Sequence, residues 1–423
     1  MNAVSDNDLE ALGREFGNYL SRPWTFADPP DLFRRLREID PVHQGPDGMW
    51  YITGFKAAEA AYRHPGLSRA VSAKQMFSEL GVPGRDPPEA VKAAEMQLLW
   101  LLHTDDPQHA RLRNLVAPTF SAPEIAKLRG MVEEIVDGIV DGLKSRDSFD
   151  FLHEFAYPLP EQMICGILGV PQEDMRRIIT WIDQSALFNT ITGENPEETR
   201  RKAQQGFTEQ ADYFRALIRE RRAKPQDRLM DSLIQAERAG DRLSEDELVA
   251  MLMQLTGAGY HTTAHLISNA MLALLSNPDQ LALLRADPSL TAKVTEETLR
   301  YDPASSGQPR VATEDVEIEG KMIRAGEQVA IVLRAANRDP ERFEDPDRFL
   351  IQRENNRHLG FGIGAHLCLG NWLARLETNV ALERAVQRLG DLELVTTDLE
   401  RAHTQLRSLK SLPLRRLSVH AAA

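Results

Sequence analysis

From Leu248 to Pro278 the chain contains no Asp, Glu, Lys or Arg. The run opens at SEDE, where Ser244 can cap a helix and Glu247, three residues on, completes a capping box. A helix of that length extends about 45 Å, so this one is expected to cross the whole domain through its core. Gln254, Thr256, His261, His265, Ser268 and Asn269 interrupt the apolar run and argue against a membrane span. Helical spacing of apolar residues also predicts helices over 123–144, 199–224, 280–287 and 292–301. Alternation in WYITGF (50–55), VEIEGKMI (from Val316) and EQVAIVL (from Glu327) predicts short strands. The expected fold is mainly α with a small β region, in one domain over 1–423 whose first twenty or so residues are flexible. No linker, low-complexity tract or fixed-period repeat divides it.

Charge and cysteine content narrow the classes. A net charge of -13 disfavours nucleic acid and anionic membranes as partners. Two cysteines cannot form a disulfide framework, and they point to a reducing compartment. The acidic first twenty residues have no apolar core, so neither a secretory signal nor an N-terminal anchor is expected. The reading is a cytoplasmic, monomeric protein with no membrane contact.

Two stretches carry candidate chemistry. TGAGYHTT (256–263) places two glycines and three threonines in the middle of the long helix, where each weakens the backbone ladder. Either another element packs closely on Gly257 and Gly259, or the helix opens to make room for a ligand. FGIGAHLCLG (361–370) sets Cys368 among three glycines just before a predicted helix that ends at Gly390. Leu369, Trp372, Leu373, Leu376, Val380 and Val386 fall on one face of that helix, which is expected to be its core face. A thiol at a helix N-terminus is favoured as thiolate, and the glycines allow close backbone approach to a flat object. A lone cysteine is more often a core residue, and Cys165 in PLPEQMICGILGVP reads that way. A zinc site from His358, His366 and Cys368 lacks a second ligand pair. A cysteine protease lacks a marked base. An axial thiolate on haem iron remains.

The run Phe361, Gly362, Gly364, His366, Cys368, Gly370, Leu373, Ala374, Arg375 resembles the FGxGxHxCxGxxLAR signature of the cytochromes P-450. EETLR is similar to the family's ExxR, as Glu297 and Arg300, which implies a structural ion pair behind the haem. Arg348 or Arg353, in the segment 336–353, completes that pair. DDPQHARLR resembles the helix that binds the haem propionates, which implies that role for His109 and Arg113, joined by Arg310 and His366. By resemblance, haem b (iron protoporphyrin IX) is the cofactor, with Cys368 as axial thiolate and metal ligand. AGYHTT is similar to the family's [AG]Gx[DE]T[TS], which implies an oxygen groove at Ala258, Gly259 and Thr262, with Thr262 as the catalytic threonine. His261 stands where the family carries a carboxylate. It is either a proton relay, or it turns away to a carbonyl or a propionate.

The resemblance implies a monooxygenase: RH + O₂ + 2 e⁻ + 2 H⁺ gives ROH and water. Electrons come from NAD(P)H through a reductase and a ferredoxin or flavodoxin, which two cysteines cannot replace with a cluster in the chain itself. Arg111, Arg113 and Arg357 are expected to steer that partner. Non-hydroxylating haem-thiolate chemistry (oxidative coupling, nitration, nitrene transfer) and a haem-binding sensor are the alternatives. The substrate is a small organic molecule. The family's pocket-lining segments correspond to about 72–98, 181–216, 254–258, 305–308 and 408–410. Gln254, Ser305, Ser306, Gln308 and Leu409 are the candidate pocket residues, and the polar ones predict amide, hydroxyl or carboxylate groups on the substrate.

Overall fold

The computed structural model describes residues 11–15, 30–186, 195–226, 228–238, 243–403 and 407–417. Most of the expected N-terminal lead-in, and 187–194 of the second pocket segment, lie outside the described residues. The helices that matter for the site are α1 (Gln108–Val116), α2 (Arg129–Leu143), α3 (Pro158–Leu168), α4 (Met175–Ala186), α5 (Pro196–Ala223), α6 (Glu245–Ser276), α7 (Thr291–Tyr301) and α8 (Asn371–Arg388). Helices dominate, as the periodicity predicts.

α6, 32 residues long, carries the uncharged run from Leu248 onward after an acidic first turn. Both bonds of its capping box are present: the Glu247 amide donates to Ser244 Oγ, and the Ser244 amide donates to the Glu247 carboxylate. Its first half packs Leu248, Val249 and Leu252 with Trp181, Phe207 and Phe214, and its second half packs Ile267, Met271 and Leu274 with Val136, Val140 and Phe155. Both main core clusters therefore share this one helix. Each large side chain so buried contributes roughly 1.5–3 kcal/mol, which holds the helix in place despite its glycines and threonines.

One sheet has the order β1-β2-β5-β4-β3, with β1 (Val42–Gln44), β2 (Trp50–Ile52), β3 (Leu67–Ser68), β4 (Gly307–Ala312) and β5 (Gln328–Val332). β2 and β5 run parallel, and the other pairs are antiparallel. VEIEGKMI is a hairpin, Val316–Ile318 on Lys321–Ile323, turned by Glu319 (φ 48) and Gly320 (φ 77).

Three expectations change. The helix over 123–144 is two, Ala122–Ala126 and Arg129–Leu143. Between them the Lys127 and Leu128 amides take carbonyls three residues back, a tighter turn that apolar spacing does not reveal. TGAGYHTT stays helical throughout. Trp372 is 47 % exposed, so it lies outside the buried face that Val380 and Ala381 form on α8.

Candidate active site

Cys368 sits three residues before α8, on a loop that folds back on itself. Its amide donates to the Phe361 carbonyl (2.9 Å), while Gly362 (φ 67) and Gly364 (φ 73) supply the left-handed turns that make this possible. Burial pushes the thiol up from its ordinary value, and the Gly370 amide, Arg113 and Arg375 pull against it. The helix end by itself therefore does not yield a thiolate here, because desolvation outweighs it. A cation on the sulfur is what such a site requires for a thiolate. Arg375 lies over the Phe361 ring (4.6 Å) and bonds Glu296. His358 also bonds Glu296 (3.1 Å), which takes it out of the zinc reading. Burial works to raise the Glu296 carboxyl, but His358 and Arg375 outweigh it and hold it at about 2. Cys165 is buried in α3 and forms part of the wall of a separate open cleft of about 890 Å³, with Met131, Ile135 and Gly169.

Beside the loop is a cradle of arginines and histidines, of which Arg69, Arg310 and His109 are buried. His109 on α1 and His366 stand with ring centroids 4.2 Å apart, and Arg113 donates to the Leu367 carbonyl (2.7 Å). Arg310 on β4 is 3 % exposed; it donates to the Pro309 carbonyl and lies 5.6 Å over the Tyr62 ring. Arg69 joins it, donating to the carbonyls of Leu102 (3.2 Å) and Pro309 (2.8 Å). Burial lowers Arg310 to about 10 and Arg69 to about 9. Burial also takes His366 down to about 2, helped by His109, Arg310, Arg69 and Arg113. The acids close by are Asp105, 3.9 Å from His366, and Asp106, 3.6 Å from His109. His109 Nε2 and Tyr62 Oη are buried without a hydrogen-bond partner. Surplus buried positive charge with orphaned polar atoms fits two further carboxylates at this place. A haem with its propionates meets that requirement.

The oxygen groove that the resemblance implies falls in the middle of α6. Ala258 is exposed and Thr262 half-buried on a helix otherwise packed in the core. A Cβ on Gly257 would meet nothing within 4 Å, whereas one on Gly259 would come within 3.1 Å of Ile164. The two glycines thus divide the two sequence readings: Gly257 faces space, and Gly259 provides close packing rather than a groove. The helix is not broken. Instead the Thr262 hydroxyl donates to the Ala258 carbonyl (2.7 Å), a side chain competing with the helix ladder. His261 faces neither a carbonyl nor the cation cradle: its Nδ1 is 3.2 Å from Tyr157 Oη and its Nε2 3.1 Å from Asp183.

Behind the loop, Glu297 and Arg300 are both fully buried and paired at 2.8 Å. Arg353 Nε bonds both Glu297 oxygens (3.2 Å), and the Leu350 amide and Asn356 add to them. Arg353, not Arg348, is the third member. Arg348 offers Arg300 only its carbonyl (2.9 Å) and turns its guanidinium to Asp345 outside.

Of the pocket candidates, Gln254, Ser305, Ser306 and Gln308 are half-buried. Gln254 accepts from the Leu102 amide (3.4 Å), and Ser305 donates to the Gly307 carbonyl (3.4 Å). Leu409 is 2 % exposed and packs within the second core cluster, so it is core rather than lining. Arg69, Tyr62, Tyr157 and Asp183 were not singled out from the sequence. Each lies far along the chain from its partners, and no local motif marks it.

A mainly helical chain with a single-thiol loop before a helix, buried arginines beside it and a threonine-bearing core helix fits the class of haem-thiolate proteins. The profile described as Cytochrome P450 matches residues 67–405, and the chain belongs to that family. It is 39 % identical over 403 residues to cytochrome P450 107B1 of Saccharopolyspora erythraea, covering 92 % of this chain and 95 % of that one. It is 37 % identical over 420 residues to cytochrome P450 monooxygenase PikC of Streptomyces venezuelae, covering 96 % and 94 %. Among solved structures, P450BioI in complex with an acyl carrier protein aligns with TM-score 0.83 and 31 % identity, over 95 % of this chain and all of that one. The protein is a haem-thiolate monooxygenase that takes electrons from NAD(P)H through partner proteins. Among the described residues no helix is long and apolar enough to cross a membrane.

Proposed function

We propose that this chain acts as one monomeric, cytoplasmic domain that hydroxylates a small, polar organic substrate, with Cys368 as the thiolate ligand of its haem. Once bound, the haem supplies the activation of dioxygen. His109, Arg113, Arg310 and His366 hold its carboxylates as hydrogen-bond donors, with the Arg69 guanidinium beside them. Phe361, Gly362 and Gly370 shape the loop beneath it. Ala258 and Thr262 would lie on the oxygen side, where the Thr262 hydroxyl would hold a proton available to the chemistry the haem supplies. Glu297, Arg300 and Arg353 keep the loop's support rigid. Gln254, Ser305, Ser306 and Gln308 give the pocket polar atoms that match amide, hydroxyl or carboxylate groups. A ferredoxin or flavodoxin with its reductase delivers the electrons.

The observation that supports this reading best is the cradle itself, where buried cations and the orphaned His109 Nε2 stand beside the one cysteine in a glycine loop. The test is a substrate screen by Soret shift, followed by product analysis with a surrogate ferredoxin system. Polar ligands are expected to shift the band and gain one oxygen atom. Tight binding by simple alkanes sinks the polar-pocket part. A coupled, nitrated or nitrene-transfer product that gains no hydroxyl group favours the non-hydroxylating reading, to which His261 in place of a carboxylate lends weight.

A further inference from the structure

Between α4 and α6 runs a chain of polar groups that the reading above leaves unused. The side chain of Asp183 on α4 is 57 % exposed and that of His261 is 18 % exposed, while His265, one turn further along α6, is buried. Asp183 Oδ1 lies 3.1 Å from His261 Nε2, within ion-pair range but off the N–H line. On its other side, His261 Nδ1 is 3.2 Å from the hydroxyl of Tyr157, the residue that leads into α3. That same hydroxyl is 3.2 Å from His265 Nε2. The two imidazoles are stacked 6.4 Å apart, within 7° of parallel, with the phenol oxygen bonded to both. Histidines at i and i+4 are a spacing that suits a metal. Here the phenol takes that place, and no group of three metal-ligating residues occurs among the described residues.

A phenol has one proton, so Tyr157 can donate to one ring and must accept from the other. In the state that passes a proton inward, His261 donates Nδ1–H to the Tyr157 oxygen and leaves Nε2 unprotonated beside Asp183. The Tyr157 O–H then points to His265 Nε2, and a proton from solvent enters through Asp183 onto His261 Nε2. In the transfer step the His261 Nδ1–H bond breaks as an O–H forms on Tyr157. The old O–H breaks as an N–H forms on His265. One proton moves and no electrons do. His265 Nδ1 is buried without a partner, and Thr262 sits three residues before it on the same face of α6.

Burial pushes the Tyr157 phenol up. It takes His265 down to about 3, with His261, Arg401 and His153 adding to the effect. Neither group therefore retains a proton it receives. The other titratable groups around the chain are Tyr260, whose ring packs tilted against His261 and Tyr157, and Glu161 on α3.

We propose that Asp183, His261, Tyr157 and His265 form a proton wire from solvent to Thr262, with Asp183 on α4 standing in for the carboxylate that the family carries at position 261. The proposal rests on the monooxygenase reading. Asp183 and Tyr157 are positioning residues in it.

The test uses holoenzyme with a surrogate ferredoxin system and a substrate from the Soret screen. Tyr157→Phe removes the hydroxyl and keeps the ring, and Asp183→Asn removes a charge at the surface, where folding is not at stake. Each is expected to lower the share of NADPH electrons found in product about threefold or more, the remainder leaving as peroxide. In ¹⁵N-histidine-labelled ferrous carbonyl protein, Tyr157→Phe should also speed exchange of the two imidazole N–H protons about tenfold, a change that needs no turnover. Hydrogen peroxide supplied in place of O₂ and NADPH carries its own protons, so both variants should then match the parent. Parent-like coupling in Asp183→Asn removes Asp183 from the wire. Parent-like coupling and exchange in Tyr157→Phe overturn the wire itself. If the parent forms no oxygenated product with either oxidant, the monooxygenase reading fails instead.

Discussion

At the scale of single residues, the two cysteines give the sharpest test. Reduced protein under carbon monoxide should show the red-shifted Soret band of a thiolate ligand. Cys368→Ala should abolish that band, while Cys165→Ala, which only trims a core side chain, should leave it; the reverse result ends the Cys368 assignment. Glu377 on α8 offers a pH test. It is 2 % exposed, its Oε2 has no partner, and burial alone raises its carboxyl from the ordinary 4.5 to about 8. Between those two values the folded protein holds a proton that the unfolded chain has lost. This group's contribution to stability therefore falls as pH rises through the window, by up to about 1.4 kcal/mol per pH unit. Glu377→Gln is expected to raise the Tm at pH 8 to 9 and barely change it near pH 4.5, and an equal effect at both pH values would refute the buried-acid account. Cys368, His109 and Glu297 were legible in the sequence because each sits in a contiguous motif. Arg69, Asp183 and Tyr157 were not, because their partners lie up to 240 positions away and meet them only when the chain folds.

At the scale of elements, the longest was the easiest to read, since a capping box and an uncharged run both report on local energetics. The helix over 123–144 was read as one because apolar spacing carries through the turn at Lys127 and Leu128. TGAGYHTT leaves close packing and an opened helix both open in the sequence, because glycine and threonine propensities are weak priors; core packing on both sides keeps it helical. The choice between Arg348 and Arg353 could not be made from sequence. Both sit in one segment, and only its folded path decides which guanidinium turns inward. That path gives a prediction. Arg353 is 6 % exposed and bonds a fully buried carboxylate, whereas Arg348 is 65 % exposed and reaches only a surface acid. Arg353→Ala should lower the unfolding free energy by about 3 kcal/mol and weaken haem retention. Arg348→Ala should change it by less than about 0.5 kcal/mol, because Arg300 uses the Arg348 main-chain carbonyl. Denaturant titration of both variants decides it, and equal losses would return Arg348 to the network.

At the scale of the whole molecule, net charge was legible and its distribution was not. A total of -13 gives no hint of how an electron donor finds the thiolate side. Arg111, expected to steer it, is paired with Glu247 on α6, so its charge is largely spent inside the protein. What the face around Cys368 does present is Trp372, 47 % exposed, and Leu367, 39 % exposed, with Arg357 exposed nearby in sequence. Arg375 packs under the indole at 5.6 Å and holds it outward. Exposed large apolar groups at a functional face mark an interaction site, and a tryptophan ringed by polar groups is the kind of anchor that dominates short-lived interfaces. A redox partner docking here is therefore expected to meet an apolar centre with a weak basic rim, two parts that respond differently to salt. Reduction by an acidic ferredoxin should slow only modestly as ionic strength rises, since few unpaired cations contribute. Trp372→Ala should raise the ferredoxin concentration for half-maximal reduction about tenfold and leave the carbon monoxide spectrum unchanged. Arg357→Ala should flatten the salt dependence without that large loss. Stopped-flow reduction across a salt series separates the terms: a steep salt dependence that Trp372→Ala leaves untouched would mean that charge alone guides the partner and that the exposed indole has no part in docking.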